Sequence, residues 1–336
     1  MTLLRRTGRE ISSERFKSFR ERFDDAVVQF GSQGFLLQVG MQGRECHRTL
    51  VEFKSDVDVV RVLIRTTFDA VSIVATHAGN TYAHLVWIVA TLLENKILCP
   101  MNPGETLERT ESKLLSLGDS YRLVSGDEAM VQRLGAEPMV VPGGDVDATV
   151  LKMELPPRDP DMPFILIFTS GTTGYSKVVQ QTERGVLTNV DDLIRHHQLS
   201  SRDRICTPLP VFHVNALEFS FFCSLLSGSG LVLFEHFDLL RILKILRRES
   251  VTILSLIPQM AHLLAQESER FKTSLGDGFR YVVTAAAPLP PALARDWVLK
   301  FGDQIRILQG YGLSEAVNFS ATMPTDLSFE VYRHLL

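Results

Sequence analysis

The run Phe164-Ile-Leu-Ile-Phe168 places five apolar residues in a row, with nothing polar at alternate positions. A strand with one solvated face alternates, so a run of this kind has both faces buried and belongs inside a parallel sheet. Parallel strands cannot be joined by a tight turn, and each crossover needs a helix-length segment. The chain supplies that alternation on both sides. Strand-length apolar runs lie at 71–75, 97–103 and 121–124, with helix-length segments at 82–93 and 107–117 between them. The 82–93 segment is apolar on nearly all sides, which predicts a buried helix. Residues 134–163, rich in Pro, Gly and Asp, lead into 164–168; a strand at 178–182 and a helix marked by Val186, Leu187, Val190, Leu193 and Ile194 follow. The second half repeats the pattern, with helices at 217–227, 238–248, 258–267 and 290–301 leading to strands at 231–234, 252–255, 281–284 and 306–309. The expectation is an α/β fold of two stacked, mainly parallel sheets flanked by helices. Residues 1–50 are expected as a helical segment, amphipathic over 14–30, packed on the second unit; 51–192 form the first unit, 193–323 the second, and 324–336 the end of the chain.

With 336 residues, 45% of them hydrophobic, the chain can bury more than one packing unit. Net charge is −4 with both signs mixed along the chain, so nothing asks for nucleic acid or an anionic membrane. The most membrane-like stretch, 216–234, is interrupted by Glu218 and by Gly228-Ser-Gly230, and reads as a buried helix, a turn and a strand rather than a span. The basic residues within 239–249 read as a solvated helix face over a sheet. Cysteines at 46, 99, 206 and 223 have neither CxxC nor metal spacing, and read as reduced thiols of a cytoplasmic protein. The start of the chain, MTLLRRTGREISSERF, carries no apolar run of the secretory kind.

The segment after the central strand, FTSGTTGYSK at 168–177, carries the chemistry. Gly171 and Gly174 let backbone approach a ligand closely, and successive amides in such a turn form an anion-binding nest. Thr169, Ser170, Thr172 and Thr173 add hydroxyls, and Lys177 adds a charge. The set suits a polyphosphate. It is not the GxxxxGK(S/T) loop, because no Ser or Thr follows the lysine and a strand, not a helix, comes next. A mobile Ser/Thr/Gly surface loop is the bland alternative for these residues taken alone.

Three further segments accompany it: LPVFHVNAL at 209–217, TAAAPLP at 284–290 and QGYGLSEA at 309–316. In order and spacing the four resemble the adenylate-forming superfamily of acyl-CoA synthetases, aryl-CoA ligases, luciferases and peptide-synthetase adenylation domains. That family's phosphate loop reads roughly (S/T)SG(S/T)TGxPKG. Residues 169–177 match it except for Ser176 in place of Pro, and Val178 stands where Gly would follow. The second segment is similar to the family's aromatic-His motif, the third to its adenine-side SGAAPLP, and the fourth to QGYGxTE with Ser314 for Thr. The likeness runs from about residue 50 to 323.

The resemblance implies a ligase in which a small carboxylic acid attacks the α-phosphate of ATP, and the acyl adenylate is then taken by a thiol of CoA or of carrier pantetheine. An acyl carrier protein is a partner where carrier pantetheine, and not CoA, is the acceptor. No protein nucleophile is needed, so rate must come from positioning and charge neutralisation. On this reading Thr169, Ser170, Gly171, Thr172, Thr173, Gly174 and Lys177 hold phosphate and Glu315 binds Mg2+. Tyr311 stacks on adenine beside Ala286 and Ala287, framed by Gly310, Gly312 and Ser314. His213 sits beside the substrate carboxylate. Val214, Asn215, Phe219, Gly310 and Val317 are expected at the acyl pocket wall. No Asp lies in 211–219 to pair an α-ammonium, so a fatty or aryl acid fits better than an α-amino acid.

Lys177, His213 and Glu315 are thus the candidate catalytic residues. The family continues past its Glu motif into a ribose-binding Asp, a barrel, a hinge and a small lobe bearing a lysine. Those parts have no counterpart here, so the expectation is a large-lobe fragment, weakly active or inactive alone. A non-catalytic ATP- or acyl-binding remnant of the same fold is the alternative. A hydrolase built on Gly312-Leu-Ser-Glu-Ala316 lacks the final Gly of GxSxG, and only His334 follows as a base.

Overall fold

Fourteen strands among the described residues pair into two open sheets, and neither closes into a barrel. The computed structural model describes residues 16–118, 120–143, 148–169 and 176–335. The smaller sheet has the order Glu137–Pro138, Tyr121–Ser125, Ile73–His77, Ile97–Met101, Pro163–Thr169, Lys177–Thr182. All its pairings are parallel except the last, where Pro163–Thr169 and Lys177–Thr182 run antiparallel. The larger sheet has the order Phe319–Thr322, Arg306–Gly312, Tyr281–Thr284, Ile253–Leu256, Arg204–Thr207, Gly230–Phe234, Gly34–Val39, Glu45–Thr49. Only its two edge pairings are antiparallel.

Period-two alternation sorts the strand side chains between cores. Val74, Ile205, Leu231 and Val283 point inward to one core shared by both sheets. Their neighbours Ile73 and Ala75 face the outer helices of the smaller sheet, and Cys206, Val232 and Val282 those of the larger. The shared core is filled by a middle layer of helices that includes Tyr82–Leu93, buried from His84 to Leu93 as its composition predicts. Helix Leu239–Arg248 lays Ile242, Leu243, Ile245 and Leu246 on the larger sheet and leaves its basic face to solvent. Among the described residues, no helix is long and apolar enough to cross a membrane. All four cysteines are free, and Cys99, Cys206 and Cys223 are buried.

The N-terminal fifty residues differ from expectation. Helix Phe19–Phe30 forms, capped by Ser18 and Glu21, but Gly34–Val39 and Glu45–Thr49 are strands of the larger sheet. The run Phe35-Leu-Leu satisfies its backbone beside Gly230–Phe234 and buries side chains on both faces. Phe19 stacks on Phe164 of the smaller sheet and on Phe222, so the helix packs between the two sheets, not on one unit. Helix Leu50–Thr67 was also absent from the sequence reading. Its signal is the capping box of Thr49 and Glu52, followed by Phe53, Val57, Val60 and Ile64 on one buried face. The expected helix at 217–227 begins as a wider π-type turn over Asn215–Phe222.

Candidate active site

Four adjacent parallel strands of the larger sheet, Arg204–Thr207, Ile253–Leu256, Tyr281–Thr284 and Arg306–Gly312, end on one cavity of about 360 Å³. Each contributes residues at or just past its carboxyl end: Leu209 and His213, Ile257, Ala285 and Ala286, Gly312 and Ser314. Open α/β sheets bind ligands there because side chains and amides of successive loops converge without a layer of helix over them. Among the described residues, no Asp or Glu lines this cavity.

His213 is exposed at the cavity mouth, with Phe212 stacked on it at 4.5 Å. Its amide donates to the Pro210 carbonyl at 3.0 Å, which starts the helix that carries Val214 and Asn215 along the wall. The protein mass around the ring pushes the His213 pKa down; the Lys113 ammonium adds to this and Glu105 opposes it. The segment is held from the other sheet by Asn80. The Asn80 amide donates to the Leu209 and Phe234 carbonyls at 2.8 and 2.9 Å and accepts from the Val211 amide at 2.9 Å. Asn80 is fully satisfied and 2% exposed, so it ties the carboxyl end of Ile73–His77 to the His213 segment. Sequence reasoning passed over it; the turn signal Gly79-Asn80 before the helix cap Thr81 was its trace.

A second, open groove of about 470 Å³ lies on the far side of the Arg306–Gly312 strand, lined by Gln309, Tyr311 and Met323 among others. The Tyr311 ring is 67% exposed, an unusual state for an aromatic on a central motif. Backbone approach is close here. A Cβ on Gly312 would lie 1.9 Å from the Asn318 carbonyl oxygen, and one on Gly310 would strike the Phe319 ring at 2.5 Å. Ala286 adopts φ +65°, a left-handed conformation that costs a non-glycine residue about 1 kcal/mol and recurs at ligand sites. Ala287 accepts from the Gln309 side chain at 3.4 Å.

Thr169 and Lys177 pair across the antiparallel strands that bound the phosphate loop. Ser170, Gly171, Thr172, Thr173 and Gly174 lie outside the described residues. Lys177, Val179 and Gln181 share one strand face, and the Gln181 amide donates to the carbonyls of Ser314 and Val317 at 3.0 and 2.8 Å. Lys177 is therefore on the face that meets the Glu315 turn, about 13 Å from Gln181 along the strand. Glu315 is exposed in the turn Ser314–Ala316. Among the described residues, no three His, Cys, Asp or Glu side chains group to hold a metal by themselves. A single exposed carboxylate fits an ion that takes most of its oxygens from phosphate and water, as Mg2+ does.

Of the residues expected at the pocket wall, Val214 and Asn215 line the cavity. Phe219 is fully buried behind it, between His197 and Phe319, because the wide helical turn rotates it into the shared core. Gly310 backs onto Phe319, and Val317 packs towards Gly185, so neither is a lining residue. Ile257, Asn318 and Phe319 line the cavity and were not foreseen.

Known proteins bear on this arrangement. The chain is 30% identical over 172 residues to the sulfoacetate–CoA ligase of Cupriavidus necator, which covers 51% of this chain and 33% of that protein. It is 32% identical over 195 residues to the long-chain-fatty-acid–CoA ligase FadD13 of Mycobacterium tuberculosis, covering 57% of this chain and 35% of that one. The chain thus matches about a third of the length of each of these curated relatives. In fold it is similar to the o-succinylbenzoate coenzyme A synthetase of Bacillus subtilis solved in complex with AMP, with a TM-score of 0.75, 20% identity, and coverage of 92% of this chain and 62% of that one. The AMP-binding enzyme family model matches residues 61–332, and the chain belongs to that family.

Proposed function

We propose that this chain binds ATP with Mg2+ in the Tyr311 groove and a small carboxylic acid in the neighbouring cavity, as the activating part of an AMP-forming acid–thiol ligase. The observation that carries the reading is the junction of the two spaces. Ala286, Gly312 and Ser314 line the acid cavity, and Tyr311 opens on the groove from the same strand end. An acid in one space and a nucleotide in the other would meet at that wall.

ATP supplies the phosphorus that the carboxylate attacks, and Mg2+ supplies charge neutralisation. The chain's own residues hold and orient. Tyr311 offers its exposed ring to the base, and Ala286 and Ala287 the purine edge. Thr169, Lys177 and the loop between them face the terminal phosphates, and Glu315 binds the ion. His213, kept neutral by its surroundings, offers a hydrogen bond at the mouth where the carboxylate enters. Leu209, Val214, Ile257 and Phe319 give the cavity apolar walls, and the lack of a lining carboxylate leaves an α-ammonium without a counter-ion. A fatty or aryl acid of modest size is the substrate class this favours. CoA is the acceptor that the names of the relatives lead one to propose, with a carrier pantetheine as the alternative thiol.

Calorimetry of ATP·Mg2+, AMP and a panel of acids tests this. Competitive ATP and AMP binding, with an aryl or short fatty acid binding more tightly than an amino acid, is the expected result. Failure to bind either nucleotide at millimolar concentration would sink the proposal. Carboxylate-dependent pyrophosphate exchange would separate an activating enzyme from a binding remnant.

A further inference from the structure

Two asparagines interrupt the largely apolar wall of the cavity that His213 lines. Asn215 is 7% exposed and Asn318 2%, and both are lining residues. Neither side-chain amide nitrogen has a hydrogen-bond partner among the described residues. Nearly all buried polar groups in folded proteins are paired, so two exceptions on one cavity wall call for a cause.

The local structure does not supply it. The Ser255 hydroxyl donates to Asn215 Oδ1 at 3.4 Å, which anchors the oxygen end of that amide and leaves the nitrogen end over. Asn318 serves its turn through its backbone. Its amide donates to the Ala316 carbonyl at 3.0 Å, and its carbonyl accepts from the Leu313 amide at 3.1 Å. The Asn318 side chain takes no part in either bond.

The chemistry of the wall narrows what can pair the two amides. An N–H needs an acceptor. An alkyl or plain aryl tail has none, and by filling the cavity it would shut water away from both donors, at the full cost of leaving them unmade. A second carboxylate has acceptors. Among the described residues, however, no Lys or Arg lines the cavity, and a buried anion without a counter-charge is costly. An ammonium brings only donors. A neutral oxygen, as hydroxyl or carbonyl, meets the need.

We propose that the acid taken here carries a neutral hydroxyl or carbonyl oxygen on its tail, and that Asn215 and Asn318 set specificity by donating to it. This rests on the cavity being the acid site. His213 is exposed at the mouth and the two asparagines are buried, so the oxygen lies inward of the carboxylate.

Calorimetry of the full chain with matched acids tests this. The probes are phenylpropionate bearing a meta or para hydroxyl, and hexanoate ending in a hydroxyl or a methyl ketone. Each is compared with the analogue that has a methyl group in place of the oxygen. At least one oxygen-bearing acid is expected to bind roughly ten- to hundredfold more tightly than its analogue, the scale of a buried donor that is paired against one that is not. Asn215→Leu and Asn318→Leu should each cut that preference about tenfold, by weakening the oxygen-bearing acid and not its analogue. A residue that only held the fold would weaken both acids alike and leave their ratio at the wild-type value. Should a leucine variant not fold, Asn215→Asp and Asn318→Asp decide. An ionised aspartate keeps the shape but has no N–H, so the preference should be lost there too. The inference is overturned if no oxygen-bearing acid outbinds its analogue, or if the preference survives substitution at either position. Binding of AMP and of the methyl analogues without preference would overturn this inference alone. Wild-type chain that binds neither nucleotide nor acid would refute the proposed function itself, and this inference with it.

Discussion

The two spaces that share the Arg306–Gly312 strand end are built on opposite principles. The cavity that His213 lines is walled by four loops of one sheet and clamped from the other sheet by Asn80, with every side-chain polar atom of that clamp satisfied. The groove beside it is open, with an exposed Tyr311; Lys177, at the start of its strand, and Glu315, in its turn, are exposed as well. A packed site discriminates by shape and holds its geometry without ligand. An open one relies on charge and stacking, and orders its groups when the ligand arrives.

The sharpest way to break this contrast is at the wall itself. Gly312→Ala puts a methyl group into the Asn318 backbone, which cannot yield as a side chain would. The hairpin with Phe319–Thr322 must open, at a cost of about 1–3 kcal/mol or more. Loss of both acid and nucleotide binding by calorimetry, with a clear fall in melting temperature, is expected. An unchanged variant would mean the two spaces do not share that wall.

Tyr311→Ala probes the open side alone. Stacking on a base is worth about 1–3 kcal/mol, so ATP and AMP should weaken alike, roughly ten- to hundredfold. The melting temperature should hold, because the ring is 67% exposed. Unequal losses for the two nucleotides would argue against a contact with the base.

Acid should damage the closed side first. Burial holds His84 near pKa 4 and His197 near 3, against a usual 6.5. Both stay neutral in the folded chain while the unfolded chain takes up protons below pH 6.5. The unfolded state then binds more protons, so stability falls as pH drops from 6.5 towards 4. Each histidine contributes a slope of about 1.4 kcal/mol per pH unit in that window. His84 bonds the Gly79 carbonyl next to the Asn80 clamp, at 2.9 Å. Urea titrations of His84→Gln should show a flatter pH dependence than wild type. An equally steep slope would remove His84 from the explanation.

The smallest expected effect is Lys177→Ala, about tenfold on ATP and less on AMP, and weaker still at high salt because the side chain is exposed. Equal losses for ATP and AMP would take Lys177 away from the terminal phosphates.

The βαβ alternation was readable because buried parallel strands must be apolar on both faces. The expected strand at 281–284 and helix at 82–93 coincide with the observed elements, and the strand expected at 97–103 covers the observed Ile97–Met101. The two N-terminal strands were not readable in the same way. Gly34–Val39 carries only the apolar run Phe35-Leu-Leu before the polar Gln38, and Glu45–Thr49 is a polar edge strand with half-exposed side chains. Such a strand exists only because a neighbour offers it a ladder. The motif residues His213, Ala286, Gly312 and Ser314 could be named from their order along the chain, and they do line one cavity. Asn80, Gln181 and Asn318 could not, since each matters through a partner remote in sequence or through a lack of one.

By itself, then, the sequence determined which segments become strands and helices, that two sheets form, and which loops carry polar and glycine-rich chemistry. Those properties are local: they follow from periodicity, apolar runs and turn residues. The tertiary structure decided what the loops face. It turned Phe219 into core, left Tyr311 in solvent, set Asn80 across the two sheets, and buried Glu218. Those choices depend on how the sheets stack and on where strand ends meet, and contacts between residues a hundred or more positions apart leave no period along the chain.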